Sequence, residues 1–284
     1  MSQGVLLFAN NNAQIDYVKQ AIYCAKRIKK HLGVPVSLVT EDGSYAKNAY
    51  PFYDKYIDNI INVDRKVYLQ KKKYRDGVYA HKTLEWKNLS RADCYELSPY
   101  EETIVMDTDF LVANDQLLNC FDCSEDFLIV KKFNDAGFDR DLSYFDRISD
   151  RSIEMYWATV FYFKKSDNMK MYFDLVKHIR EHWNYYRLIY QIPNRNFRND
   201  FAFSIAIHIF NGHKKGYWPN PIPGNLYMSL DIDILDKIED DKFLVVYDQN
   251  ENGNYCAASL SNQSLHVMNK FSLSRIIDKE FANE

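Results

Sequence analysis

Glycine and proline are scarce in this 284-residue chain, with 9 and 7 copies, where average usage would be about 7% and 5%. No two glycines stand closer than Gly212 and Gly216. Neither a G-x-G-x-x-G dinucleotide loop nor a G-x-x-x-x-G-K-[ST] phosphate loop can therefore be written. A phosphorylated ligand has to be held by something other than a glycine cradle. Long apolar runs are missing too: none approaches the roughly 18 residues of a membrane span. The first twenty residues carry Asn10, Asn11, Asn12, Gln14 and Asp16, which reads against a signal peptide and makes the cytoplasm the expected location. The five cysteines are an odd set, expected to be reduced thiols. Cys120 and Cys123 form a lone C-x-x-C without the second ligand pair of a zinc ribbon.

Aromatics are abundant instead, at 22 Tyr, 18 Phe and 4 Trp. The charge is nearly balanced, 36 Lys+Arg against 39 Asp+Glu for a net −3, which excludes a wholly basic nucleic-acid binder. The basic residues nevertheless cluster, as Lys26, Arg27, Lys29 and Lys30, as Lys71, Lys72, Lys73 and Arg75, and as Arg195 and Arg198. Such runs are ordinarily solvated faces. Interleaving with Tyr68, Tyr74, Tyr79, Tyr185, Tyr186 and Phe197 keeps a polyanion-binding surface as an alternative.

Hydrophobic patterning predicts an α/β fold. Val5 to Ala9 reads as a buried strand, residues 14–32 as an amphipathic helix stopped by Gly33, and Val34 to Thr40 as a second strand. Strand, helix, strand within forty residues is a βαβ unit and implies a parallel sheet. Further strands are expected at Ile57 to Val63, Thr103 to Met106, Phe127 to Val130 and Ala158 to Phe163. A long amphipathic helix is expected at 168–186 and a shorter one at 199–211. Without repeats or linkers the simplest organisation is one domain over 1–284. Its last third, with Pro219, Pro221 and Pro223, is expected to be irregular.

Ligands of open parallel sheets bind beyond the carboxyl ends of the strands. After the Thr103 to Met106 strand comes Asp107-Thr108-Asp109. The same D-x-D pattern occurs at Asp139-Arg140-Asp141 and Asp231-Ile232-Asp233, but only the first lies between two apolar runs. Two ionised carboxylates there are costly unless a cation sits between them. A hard divalent ion suits them and leaves coordination positions for phosphate oxygens. A rival motif, His178-Ile179-Arg180-Glu181-His182, fits the H-x-x-E-H zinc-peptidase pattern. Leu175, Ile179 and Trp183 already make an apolar stripe beside it, so a helical core face is the better reading.

With these residues in view, the sequence resembles the GT-A class of nucleotide-sugar glycosyltransferases, most closely family 8 and its viral relatives. Four segments carry the resemblance in order: Phe8 to Asn12, Ile104 to Val112, Asn199 to Phe203, and Ser264 to Lys270. It implies a single Rossmann-like GT-A domain with a mostly parallel sheet, residues 1–112 binding nucleotide and 113–284 supplying the acceptor side and a C-terminal metal ligand. It also implies that Ala9, Asn10 and Asn11 receive the nucleotide and that Asp107, Asp109 and His266 hold Mn²⁺ or Mg²⁺. Thr108, Lys82 (in His81 to Trp86, read as a helix start) and Lys270 would contact the donor, and Asn199 and Asp200 would lie beside the transferred sugar. The expected activity is retaining transfer of a hexosyl or pentosyl group from a UDP-sugar. The chain ends without a basic membrane-associating tail, and its Asn-, Lys-, Tyr- and Asp-rich vocabulary is similar to that of bacteriophage proteins. Hydroxymethyl- or hydroxycytosine in phage DNA, in the host cytoplasm, is then the expected acceptor. The alternatives are a bacterial surface glycan, or a non-enzymatic nucleic-acid or glycan-binding protein.

Overall fold

A computed structural model describes residues 2–64, 68–88, 91–138, 140–249 and 253–282. Asp139 of the second D-x-D and the terminal Asn283 and Glu284 lie outside the described residues, as does the side chain of Tyr68. The chain opens with β1 (Gln3–Phe8), α1 (Tyr17–His31), β2 (Val36–Thr40), α2 (Gly43–Ala49), β3 (Asn59–Asn62), β4 (Tyr68–Arg75) and β5 (His81–Asn88). It continues with α3 (Cys94–Leu97), β6 (Glu102–Met106), β7 (Phe110–Leu111), β8 (Phe127–Val130), β9 (Asn134–Asp135) and β10 (Trp157–Lys164). Then come α4 (Asp167–Glu181), α5 (Trp183–Ile189), α6 (Asn199–Phe210), β11 (Asn220–Pro221) and β12 (Tyr227–Ser229). Last are β13 (Ile234–Glu239), β14 (Lys242–Asp248), β15 (Tyr255–Ser261), β16 (Leu265–Val267) and α7 (Lys270–Phe281).

The fold is α/β. A seven-stranded sheet runs β11-β8-β10-β6-β1-β2-β3. Every pairing in it is parallel except those of β10, which is antiparallel to both β6 and β8. The first βαβ unit forms for local reasons. Asp16 caps α1 by accepting from the Lys19 N–H at 2.9 Å, and Lys29, Lys30 and His31 complement the negative end of its dipole. Gly33, at φ +65°, takes the left-handed turn that ends the helix and bonds back to the Ile28 carbonyl. Val18, Ala21, Ile22, Ala25 and Ile28 bury the apolar stripe of α1 against the central sheet, whose β1 and β2 have almost no exposed apolar side chain.

Few glycines leave little slack, and Gly4 shows why one is needed. A Cβ on this β1 residue would fall inside the ring of Tyr100, which is held by a 2.8 Å hydrogen bond to Ser37 Oγ. Gly4→Ala is expected to cost about 1–3 kcal/mol through overpacking, read as a lower urea midpoint. An unchanged midpoint would mean that the Tyr100 ring has room to move.

Three sequence expectations change. The 168–186 helix is interrupted at His182, where α4 ends and α5 begins. Residues 81–86, expected to start a helix, lie in β5 (His81–Asn88), which pairs antiparallel with β4 from Arg75↔His81 to Tyr68↔Asn88. Alternation in His-Lys-Thr-Leu-Glu-Trp-Lys favours the strand once a partner is present. The last third is ordered: β13, β14 and β15 make an antiparallel meander, and α7 packs on β13 and α1. Its alternating half-buried pattern is that of a sheet with one wet face.

Candidate functional site

Strand β6 ends at Met106, and the chain turns at once, with the Phe110 N–H bonding to the Asp107 carbonyl at 3.1 Å. This turn puts Asp107, Thr108 and Asp109 at the carboxyl end of β6, beside parallel β1. Two contacts hold it: Asp107 N–H donates to the Thr159 carbonyl at 2.8 Å, and Val267 N–H donates to the Asp109 carbonyl at 2.9 Å. The second belongs to a small sheet in which β16 pairs antiparallel with β7, placing His266 opposite Phe110. Residues 157 positions apart in sequence thereby meet. One ligand atom from each of Asp107, Asp109 and His266 lies within 4.8 Å of the others.

The electrostatics are unusual. His266 is 5% exposed and lies between the rings of Phe133 at 5.6 Å and Trp157 at 6.5 Å. Burial, with repulsion from Lys72, Arg91 and Arg198 and against attraction to Asp200, pushes its pKa down to about 3. The imidazole is therefore neutral at physiological pH. Its Nε2 is 3.2 Å from Asp109 Oδ2, and its buried Nδ1 has no hydrogen-bond partner. Lys270 pairs with the same Oδ2, and burial lowers its pKa well below that of an ordinary lysine. Arg91 pairs with Asp107. Desolvation lowers the Arg91 guanidinium to about 10, and its buried Nε has no partner.

Two carboxylates and a neutral imidazole whose Nδ1 is orphaned make a donor set that a divalent ion fits, although Arg91 and Lys270 pair with the two carboxylates here. Asp and His side chains are the ordinary ligands of Mn²⁺-type sites.

These residues floor a cleft that also holds Asn10, Asp200, Lys72, Arg198, Trp86 and Trp157. A register shift between Trp157 and Phe161 in β10 marks a bulge beside the site, a usual device for re-aiming side chains. Asp200, in the first turn of α6, is fixed by two hydrogen bonds. Its Oδ1 accepts from Ala158 N–H at 2.9 Å and its Oδ2 from Arg198 Nη2 at 2.8 Å. Asn199 lies beside it, buried. At the other end Asn10 Oδ1 accepts from Glu41 N–H at 3.0 Å, while its buried Nδ2 has no partner.

Of the other expected residues, Thr108 lines the cleft. Asn11 turns its carboxamide to the start of α1, accepting from Val18 N–H at 3.0 Å. Ala9 is buried beside β2, its N–H on the Val39 carbonyl. Lys82 sits exposed on β5 with its ammonium 5.8 Å from the Phe271 ring centre, and it is not among the residues that line the cleft.

Three cations came in without a specific sequence role. Arg91 follows β5 in a short turn and has no motif around it. Lys72, from the second basic run, is exposed along its side chain, yet its ammonium end lies in the cleft beside Tyr74 and Trp86. Desolvation and Arg198 lower it to about 8. Arg198 belongs to the third run, and its bond to Asp200 could be read only from the fold. The first run is consumed elsewhere: Arg27 and Lys30 pair with Asp241, and Lys29 with Asp58.

The rival motifs have structural settings. His178 and His182 are 4.4 Å apart between ring centres, but no third ligand joins them among the described residues. Cys123 Sγ contacts the Cys120 carbonyl at 3.0 Å, with no metal-type cluster around either among the described residues. The other two D-x-D segments meet each other, since Arg140 of one binds Asp233 of the other.

No protein-family model and no curated protein matches this sequence. Among solved structures, the chain is similar to the apo form of the glycosyltransferase GlyE of Streptococcus pneumoniae TIGR4. The identity is 11% and the TM-score 0.41, over 74% of this chain and 43% of that one. It is also similar to the bifunctional IspDF of Campylobacter jejuni, at 13% identity and TM-score 0.37, over 72% and 47%. A third is the galactosyltransferase LgtC in complex with donor and acceptor sugar analogs, at 12% identity and TM-score 0.35, over 62% and 65%. The chain thus spans less than half of the first two proteins and less than two thirds of the third. At scores this low no activity and no residue's role is carried over from them. The α/β architecture and the chemistry of the cleft stand on this chain's own residues.

Proposed function

We propose that this chain is a glycosyltransferase that takes its sugar from a nucleoside diphosphate sugar, with a divalent cation held by Asp107, Asp109 and His266. One observation carries the reading: that ligand set meets at the carboxyl end of β6, in a cleft shared with a fixed carboxylate and several cations. The bound ion would neutralise charge growing on the diphosphate leaving group. The mixed oxygen and imidazole donors make manganese the first ion to test and magnesium the second.

The protein groups divide the remaining work. Lys72 and Arg91 offer donors to phosphate oxygens, and Arg91 Nε already lacks a partner. Asn10 Nδ2, also unpartnered, suits a carbonyl of the base, and uridine is the base to try first. Asp200 is held rigid by Ala158 and Arg198, so its charge is already oriented towards a sugar carbon that becomes positive as the bond breaks. Trp157 and Trp86 wall the cleft and keep water from competing with the acceptor.

Incubation with Mn²⁺ and a panel of nucleotide sugars, read by mass spectrometry, is expected to release nucleoside diphosphate and transfer a hexose or pentose. Asp200→Asn should lower kcat by about 10²-fold or more while leaving the donor-induced thermal shift in place. If no nucleotide sugar is hydrolysed and none shifts the melting temperature, the glycosyltransferase reading is wrong.

For the acceptor, hydroxymethylcytosine DNA has one observation in its favour. Lys71 and Lys73 are exposed on β4, whose Lys72 reaches into the cleft. The same assay with such DNA and with bacterial surface glycan separates the two acceptors. A DNA acceptor requires activity that falls steeply as salt rises.

A further inference from the structure

We propose that Lys270 is a built-in counter-cation of the acidic site, which neutralises Asp109 in the metal-free protein and must be displaced for a divalent ion to bind. This rests on the metal reading above and adds a competition and an order of binding to it.

Lys270 is the first residue of α7, where the positive end of the helix dipole disfavours a cation. It is also 8% exposed, so its charge is desolvated as well as poorly placed by its own helix. A lysine in that position needs a compensating charge, and its ammonium pairs with Asp109 Oδ2 while also donating to the Val267 carbonyl at 3.2 Å. Asp109 Oδ2 is the oxygen approached by His266 Nε2 at 3.2 Å. The Asp109 oxygen that faces the imidazole is thus already paired with a cation. Arg91 stands in the same relation to Asp107. The site is charge-balanced without metal, which explains how two buried or half-buried carboxylates are tolerated there.

Two consequences follow from one positive charge occupying another's place. Metal binding to the bare protein is weakened by the work of moving Lys270 away from Asp109. Once displaced, the ammonium needs a new anion, and a diphosphate entering the same cleft provides one. Metal and nucleoside diphosphate should therefore bind with positive coupling, each tightening the other by the same factor.

Mn²⁺ titration of the full chain, followed by the electron paramagnetic resonance signal of the free ion, tests this with and without UDP as the probe. Lys270→Gln keeps a donor for the Val267 carbonyl and loses the charge. It is expected to bind Mn²⁺ about tenfold more tightly than wild type without UDP, and to lose most of the tightening that UDP produces in wild type. Lys270→Arg should behave as wild type. Mn²⁺ affinity that is unchanged or weaker in Lys270→Gln overturns the proposal. Asp109→Asn tests the underlying reading separately: if it binds Mn²⁺ as wild type does, the metal site itself is wrong.

A measurement on the unaltered protein covers the case in which a variant does not fold. Acetylation of Lys270, quantified by peptide mass spectrometry, should speed up several-fold when Mg²⁺ is added, because the displaced amine becomes accessible. An unchanged rate at saturating Mg²⁺ also overturns the proposal.

Discussion

Asp107→Asn is expected to abolish the rise in melting temperature that Mn²⁺ and a nucleoside diphosphate produce together, and to lower donor turnover by about 10²–10³-fold. In wild type, a ligand at a hundred times its Kd stabilises the fold by about 2.7 kcal/mol, a shift that scanning calorimetry resolves easily. The substitution keeps the size of the side chain and removes the charge that a cation requires. It also strips Arg91 of its countercharge, and a buried guanidinium left unpaired destabilises the fold in its own right, by about 3–5 kcal/mol. Loss of activity and loss of fold must therefore be separated. Arg91→Met with Asp107→Asn removes both charges and is expected to recover much of the stability without recovering metal response or turnover. A metal-induced shift of wild-type size in Asp107→Asn would show that the ion, if it binds, sits elsewhere.

An equally large effect on stability is expected at Arg140, which does not line the cleft. Its guanidinium binds Asp233 through two bonds of 2.7 Å and Asp135 through bonds of 2.5–3.1 Å. It also lies 5.1 Å from the ring centre of Tyr247. All three charged side chains are nearly inaccessible, at 9%, 4% and 0% exposure for Arg140, Asp135 and Asp233. Burial raises the pKa of Asp233 even against the pull of Arg140, so this carboxylate is tolerated in ionised form only because its partner is there. Arg140→Met leaves two buried carboxylates facing each other and should cost about 3–5 kcal/mol, a fall of roughly 10 °C in melting temperature for a chain of this size. Adding Asp135→Asn and Asp233→Asn to Arg140→Met should restore part of the loss. A melting temperature within a degree or two of wild type for Arg140→Met alone would mean that water reaches this cluster.

These two experiments also distinguish the three D-x-D segments, which look alike in sequence. Asp107 and Asp109 end a buried strand and face a cleft. Arg140 and Asp233, from the other two segments, are spent on joining the segment after β9 to the segment before β13. Flanking apolar runs marked the first segment as different, because carboxylates placed there need a cation. Which cation each one meets was not readable from spacing.

The same division runs through the rest of the chain. The first βαβ unit was legible because its signals are local: the buried run in β1, the 3.6-residue stripe of α1, the Asp16 cap and the Gly33 stop. Strand β5 and the C-terminal meander were missed because their residues are half exposed, and such segments become strands only when a neighbour completes the ladder. Lys82 was assigned to the donor by resemblance, at an expected helix start, and the strand carries it to Phe271 instead. Arg91 offered no signal at all, being a lone arginine in a short turn.

The sequence by itself determined that no glycine loop holds a phosphate here and that the fold is α/β, and apolar flanks singled out Asp107 and Asp109, while Asp200 and His266 entered only through a family resemblance. Periodicity, caps and costly buried charge are properties of short segments, and they survive without the fold. Tertiary structure decided the rest. Pairing of β16 with β7 brings His266 to Asp109, and that encounter also brings Lys270, whose ammonium holds the carboxylate a metal would need. Charges separated by more than a hundred residues interact only through the distances that packing sets, and no pattern along the chain contains those distances.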